Sequence, residues 1–396
     1  MKKIAIKGRG TAGAFAMTHF LRWTNDEIDW YFDPNKPTQA VGEGTNLSFP
    51  IAMFRNIGFH HTDLNKLDGT FKRSVYKKGW GKSGQQFEHN FLPPNIPVHI
   101  NCLKFQDYIL DYVKNNPRVR VIAENKNNDD IDADYIMDCS GRPTSYDDYH
   151  ISEYIPVNSF YAIQCSWEKP TFDYTLTIAR PHGWIFGIPL QTRCSMGYLY
   201  NKSLSSIEDV KDDLLSAIDE YGKIYGFEPS ENQGGFDFVN YYKKDNFNDR
   251  VVYNGNASFF LEPMEASSIG MMDLTQRFAF DYWYESHSHE EVQERYMRHI
   301  HNTEHFLGMH YAAGSPFETP FWNHAEKLGL SCMERAVKNE EFMYFYENSK
   351  QYLNVHDGMI PPYPEYSFWW MGSFALHLPI MGLYPIIEKV KEKVYG

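Results

Sequence analysis

No run of eighteen uncharged apolar residues occurs in the chain, which excludes a membrane-spanning helix at the level of sequence. Basic residues are outnumbered, 38 Lys and Arg against 51 Asp and Glu, for a formal net charge of −13. Such a chain has no positive field to draw phosphates in, which argues against a nucleic-acid binder. Cysteine is scarce: Cys102, Cys139, Cys165, Cys194 and Cys332 are odd in number and show no CxxC spacing. That pattern offers no disulfide framework, and a reduced, cytoplasmic protein is the simplest reading. The apolar part of the N-terminal MKKIAIKGRG is too short for a secretory signal and reads as a strand. Internal repeats and low-complexity tracts are absent. What is abundant is aromatic surface, with Phe, Tyr and Trp making up 16% of 396 residues. Rings supply buried area first and also suit a planar ligand, and composition does not choose between the two. The length is that of two to three domains or one large bilobal one, enough for a substantial core.

The first fifty residues carry the clearest pattern. Lys3–Lys7 alternates as a short strand, Gly8-Arg9-Gly10-Thr11-Ala12-Gly13 follows, and a helix runs through Ala14, Met17, Phe20 and Leu21. A second strand covers Ile28–Phe32 and ends at Asp33, 20 positions after the last glycine. This is a βαβ unit with G-x-G-x-x-G at its first turn. The glycines let backbone approach a pyrophosphate at a helix N-terminus, and the acid stands where a ribose hydroxyl is held. The alternative is a glycine-rich turn of some other α/β protein.

Further along, residues 46–66 read as helix and loop, and 66–101 as loop-rich. Cys102–Val113 is expected to be helical, with Val119–Ala123 and Tyr135–Cys139 as strands around a polar turn. Residues 158–200 alternate as antiparallel sheet. Ser205–Tyr221 reads as a helix, and Phe236–Tyr241 and Val251–Tyr253 as strands. Ser288–Phe306 reads as a long amphipathic helix opened by a Ser288/Glu291 capping box. The remainder is mostly helical, with proline-containing loops at 315–320 and 361–364. The expected architecture is α/β: a Rossmann-type FAD domain with antiparallel sheet, as in flavoprotein monooxygenases, over 1–285, then a helical, substrate-side subdomain over 286–396.

Several segments, taken in order, resemble the flavin-dependent halogenases of the tryptophan-halogenase type. They are GRGTAG at 8–13, where the family usually has glycine in place of Arg9, and VGEGT at 41–45. DCSG follows at 138–141 and GWIFGIP at 183–189, with Phe186 where the family has Trp. FLEPMEASSI at 260–269 and TPFW at 319–322 complete the series. Gly69-Thr70-Phe71-Lys72, with Trp80 eight positions on, resembles the family's lysine segment. The resemblance extends from residue 3 to about 370.

It implies FAD, used as FADH2 from a separate reductase, with Gly8, Gly10, Thr11, Ala12, Gly13, Asp33, Gly42, Glu43, Asp138, Gly141 and Trp184 along the cofactor. It implies Lys72 as the catalytic lysine, delivering electrophilic halogen, with Glu265 as the carboxylate that polarises the electrophile or accepts the ring proton. Without the family, Lys72 reads as a solvated surface charge and Glu265 as a helix-start carboxylate. Trp184 and Phe186 would form the wall between flavin and substrate, with core packing the other reading of Phe186.

A halide (chloride, bromide or iodide) would sit at Ser267 and Ser268. Ser268 replaces a glycine there, and bromination or iodination is expected to exceed chlorination. Glu365, Trp369 and Trp370 are the substrate-side candidates. The Tyr-Tyr anchor of tryptophan-specific members is absent near Asp357–Met359, so the expected substrate is a small electron-rich aromatic not held by an amino-acid end. Two alternatives remain at this stage: an aromatic flavin monooxygenase that hydroxylates without halide, and a non-catalytic FAD-binding protein. A homo-oligomer is compatible with the sequence. No metal site is expected. His287, His289, His299, His301 and His305 crowd one region, but without HExxH or a cysteine partner they read as an exposed helix.

Overall fold

The computed structural model describes residues 1–38, 42–91, 96–352 and 366–396. They form two compact units, each assembled from three stretches of chain.

The first unit comprises residues 1–71, 93–152 and 240–299. Its six-stranded sheet has the order Phe247–Asn248, Val251–Tyr253, Tyr135–Asp138, Lys3–Lys7, Glu27–Tyr31, Val119–Ile122. All neighbours are parallel except the first pair. Parallel strands are covered on both faces, which is why Ile4, Ala5 and Ile6 form an unbroken apolar run with no exposure. The chain leaves Lys3–Lys7 for one neighbour through helix Thr11–Trp23 and later returns to its other side. The strand order therefore reverses at Lys3–Lys7, and its carboxyl end is the switch point where such sheets hold ligands. Helix Thr11–Trp23 packs against helices Ser48–Ile57, Cys102–Val113 and Ser267–Tyr284.

The second unit comprises residues 72–92, 153–239 and 300–396. Its seven-stranded sheet runs Glu228–Asp237, Ser159–Ser166, Arg193–Tyr200, Gly183–Pro189, Tyr174–Arg180, Ser74–Lys78, Gln86–Asn90. Helix Ile207–Tyr225 lays Val210, Leu214, Ala217, Ile218 and Tyr221 onto Ile163, Leu176, Ile185 and Met196 of this sheet. Spacings of three and four on the helix and of two on the strands make those two faces. Helices Pro320–Ala336, Glu340–Tyr352, Met371–Ile380 and Leu383–Tyr395 follow.

The α/β fold, with its FAD-type parallel sheet, antiparallel sheet and helical C-terminal region, is as the sequence led one to expect. Helix Cys102–Val113 has the predicted bounds and is capped by the Asn101 side chain, which accepts from Leu103 N and Lys104 N. The Ser288/Glu291 box forms reciprocally, at 2.8 and 3.2 Å. Residues 66–101, read as loop-rich, instead contain strands Ser74–Lys78, Gln86–Asn90 and Val98–His99. The first two form one edge of the seven-stranded sheet, and Ser74–Lys78 pairs in parallel with Tyr174–Arg180. Strands this short and polar, SVYKK and QFEHN, have too little apolar alternation to be seen locally. The histidine-rich helix is also not exposed throughout: His299 and His305 are buried.

Candidate functional site

In the first unit, backbone builds the turn after Lys3–Lys7. Gly8 has φ +111°, and a Cβ on it would stand 2.2 Å from the Cys139 carbonyl oxygen. The Gly8 carbonyl accepts from Trp30 Nε1 at 2.8 Å, and a Cβ on Gly13 would lie 2.0 Å from that same oxygen. Gly8 and Gly13 thus let strand, helix and the Asp138–Gly141 turn close on one another. Gly10 differs, because nothing lies within 4 Å of its Cβ position. It is the N-cap of Thr11–Trp23 and supplies no side-chain cap, so the amides of Thr11, Ala12 and Gly13 open the helix beside free space. An uncapped N-terminus at a switch point, with room for an anion, fits the pyrophosphate of a dinucleotide.

Among the other predicted cofactor residues, Asp33 and Asp138 lie at strand ends of the same sheet, whereas Trp184 belongs to the second unit. Asp33 follows strand Glu27–Tyr31 and accepts from Asn35 N at 2.9 Å and Asn125 Nδ2 at 3.2 Å. Asp138 ends its strand, accepting from Ser140 N and Asn128 Nδ2 at 2.9 and 2.8 Å. Gly141 has φ +97°, and Lys36 Nζ donates to the neighbouring Ser140 carbonyl at 2.8 Å. Gly42 accepts from Cys102 Sγ at 3.4 Å, and the carbonyl of buried Glu43 accepts from Ile100 N at 2.9 Å. Val41 lies outside the described residues. All five cysteines are free thiols.

A second feature of this unit is the turn before helix Ser267–Tyr284. Glu265 and Ala266 both occupy the left-handed region, at φ +64° and +56°. Two consecutive side-chain-bearing residues there cost about 1–2 kcal/mol each. The sequence gives no warning, since no glycine marks the turn. Beyond it the helix starts without a side-chain cap. The Ser267 hydroxyl is buried and has no hydrogen-bond partner among the described residues. An orphan buried donor at an uncapped, 18-residue helix fits a small anion. Ser268 is the second residue of that helix.

Lys72 belongs to the second unit, just before strand Ser74–Lys78. It is 3% exposed, which excludes a solvated surface charge, and its Nζ lies 5.6 Å from the Phe91 ring centroid. Lysine is rarely buried this far without a reason. Trp80, Trp184 and Trp322, from three separate motifs, meet in one aromatic cluster. Trp80 and Trp322 contact edge-to-face at 5.6 Å, Trp80 and Trp184 at 6.3 Å. Their indole N–H groups donate to Thr177 O, Tyr311 Oη and Arg180 O respectively. Phe186 stacks on Phe160 at 5.8 Å, over Gly197, where a Cβ would come within 2.3 Å of the Phe186 ring. The ring that departs from the family pattern is thus matched to its floor.

Sequence reasoning missed a buried row in this unit. Lys77 Nζ lies 2.9 Å from His310 Nε2, and the His310, His377 and His89 rings follow at 5.2 and 5.1 Å. The Nδ1 atoms of His310 and His377 face the Phe306 and Ser373 carbonyls at 2.9 and 2.7 Å. A carbonyl only accepts, so in each histidine Nδ1 carries a proton. The one signal was parity, since Lys77 shares a strand face with buried Val75.

On the substrate side, Glu365 and Tyr363 lie outside the described residues. Trp369 is buried and stacked on Phe306 at 4.1 Å, so one of its ring faces is taken by the protein. Trp370 is 36% exposed. Tyr366 is fully buried, its hydroxyl 2.8 Å from His305 Nδ1. His305 Nε2 accepts from Arg335 Nε at 3.1 Å, and Arg335 pairs with buried Glu304 at 2.8 Å. Burial, then the Arg335 charge, holds the His305 pKa well below the ordinary histidine range.

The sequence profile of the family described as tryptophan halogenase matches residues 112–359. A tryptophan 6-halogenase of Streptomyces albogriseolus is 27% identical over 165 residues, 40% of this chain and 29% of that protein. The chain thus matches less than a third of that relative's length. Among solved structures, a tryptophan halogenase from Shewanella frigidimarina superposes with a TM-score of 0.75 at 18% identity, over 100% of this chain and 93% of that one. A flavin-dependent halogenase from Xanthomonas campestris gives 0.76 at 16%, over 99% and 94%. At these identities the superpositions show a shared fold.

Proposed function

The chain belongs to the tryptophan halogenase family, and we propose that it is a two-component, flavin-dependent halogenase acting on an electron-rich aromatic substrate. The observation that carries this reading is Lys72: a lysine drawn out of solvent in the segment that ends eight residues later at buried Trp80.

In this reading the Thr11–Gly13 amides and Gly10 hold the FAD pyrophosphate and Asp33 accepts from a ribose hydroxyl. Gly42, Glu43, Asp138, Gly141 and Trp184 line the rest of the cofactor. FADH2 comes from a separate reductase. The bound cofactor, once reduced, supplies with oxygen the power to oxidise halide to hypohalous acid. Ser267 and Ser268 bind the halide at the helix N-terminus. Lys72 hydrogen-bonds hypohalous acid, or exchanges an N–H for N–halogen with release of water, and so fixes the electrophile beside one ring carbon. As the carbon–halogen bond forms, the Glu265 carboxylate takes the proton leaving that carbon.

The lost Tyr-Tyr anchor favours phenols, indoles or heteroaromatics over tryptophan held by its amino-acid end. Ser268 in place of glycine stiffens the helix start that faces the anion and favours bromide and iodide, which shed hydration and oxidise more readily than chloride. The test is mass spectrometry of an aromatic panel incubated with protein, FADH2, air and each halide in competition. Halogenated product, brominated or iodinated ahead of chlorinated, is expected. Hydroxylated product without halide incorporation would replace the reading with a monooxygenase, and no product across the panel would refute it.

A further inference from the structure

We propose that Arg9 is a cofactor-retention residue, a cation inside the phosphate turn that grips the pyrophosphate of FAD. The inference rests on the FAD reading of that turn. The resemblance places a glycine at this position, so the guanidinium is an addition to a turn that already closes through Gly8 and Gly13. Arg9 Nη2 stands 3.5 Å from Asp107 Oδ1, and the guanidinium carbon lies 5.2 Å from the Phe32 ring centroid. Among the described residues, one long ion pair and one ring face are what Arg9 meets.

A guanidinium has five N–H donors in a planar fork suited to phosphate oxygens, and an aromatic face can steady it without consuming them. Asp107 is 69% exposed, so its hold is screened by water. The next residue is Gly10, with open space at its Cβ position and the uncapped helix N-terminus behind it. Open space, helix amides and an under-used guanidinium therefore share one turn. Asp107 competes with an arriving phosphate for the same cation. That competition fixes the signs of two substitutions: removing Arg9 weakens FAD, whereas neutralising Asp107 strengthens it.

The experiment is fluorescence titration of the apoprotein with FAD, and with riboflavin as a probe that has no pyrophosphate, at low and moderate salt. Arg9→Gly is expected to raise the FAD Kd about tenfold at low salt and less at higher salt, with Arg9→Lys in between. Asp107→Asn is expected to lower it about threefold. The double variant should bind like Arg9→Gly, and riboflavin should be indifferent to all four. Equal FAD affinity of Arg9→Gly and the parent would overturn the inference while leaving the flavin site intact. So would Asp107→Asn weakening FAD in step with Arg9→Gly, the behaviour of a merely structural pair. Failure of the parent to bind FAD would remove the flavin reading itself and this inference with it.

Discussion

Replacing Gly8 by alanine separates what the phosphate turn needs in order to fold from what it needs in order to bind. At φ +111° an alanine pays the penalty of a region almost reserved for glycine, about 1–3 kcal/mol. Its Cβ would also enter the Cys139 carbonyl at 2.2 Å, so one of the two must retreat by about 1 Å. Neither is free to do so. Cys139 N is bonded to Lys7 O at 2.7 Å, and Gly8 N and O are bonded to Tyr31 O and Trp30 Nε1 at 2.7 and 2.8 Å. Together these give a loss of about 3–5 kcal/mol. In a unit of about 190 residues that lowers the thermal midpoint by roughly 6–20 °C. Gly10→Ala is the contrast, because its φ is −64° and its Cβ site is open. It should melt within about 1 °C of the parent yet raise the FAD Kd, since the methyl fills the space a phosphate would take. Scanning calorimetry of the apoprotein and FAD titration read the two effects separately. A Gly8→Ala protein melting within about 1 °C of the parent would refute the packing argument.

Lys72→Ala is expected to abolish aromatic halogenation by at least about 100-fold while leaving the FAD Kd unchanged; product formation at the parental rate removes Lys72 from the chemistry. Ala266→Gly relieves a left-handed alanine at φ +56° and should stabilise by about 1 kcal/mol, a rise in midpoint that calorimetry would detect and whose absence would argue against stored strain. Phe186→Trp should destabilise by about 1–3 kcal/mol, because the ring space over Gly197 and against Phe160 is already filled; a neutral result in denaturant unfolding would show slack there. His19 and His299 are held neutral with pKa values lowered to about 3, by burial first and by Arg277, with Arg298 and Arg295 also facing His299. Unfolded histidine titrates near 6.5, so the unfolded state takes up protons first. Stability is full above about pH 6.5 and falls toward pH 3, by up to about 1.4 kcal/mol per unit per histidine. His299→Phe, stacking on Phe278 as the imidazole does, should flatten the decline of the midpoint between pH 6.5 and 4; an unaltered slope would contradict the assignment.

What the sequence determined by itself was local. The glycines at 8 and 13 and the alternation of Lys3–Lys7 state a βαβ turn because each answers a backbone requirement met within about thirty residues. The Ser288/Glu291 cap was legible for the same reason, since a helix end is closed by a side chain one to three positions away. Family resemblance, rather than spacing, brought Lys72, Glu265 and Ser267 forward. Only the tertiary structure decided that Lys72 is buried, that Glu265 and Ala266 turn left-handed with no glycine to announce it, and that Trp369 has spent one ring face on Phe306. It also decided the strands Ser74–Lys78 and Gln86–Asn90, whose polar sequences gain strand structure by pairing, the first with Tyr174–Arg180 and the second with the first. Lys77 and His310 are hydrogen-bonded at 2.9 Å across 233 positions of sequence. Burial and such pairings depend on which distant segment packs alongside, and no property of the residue or of its chain neighbours encodes that.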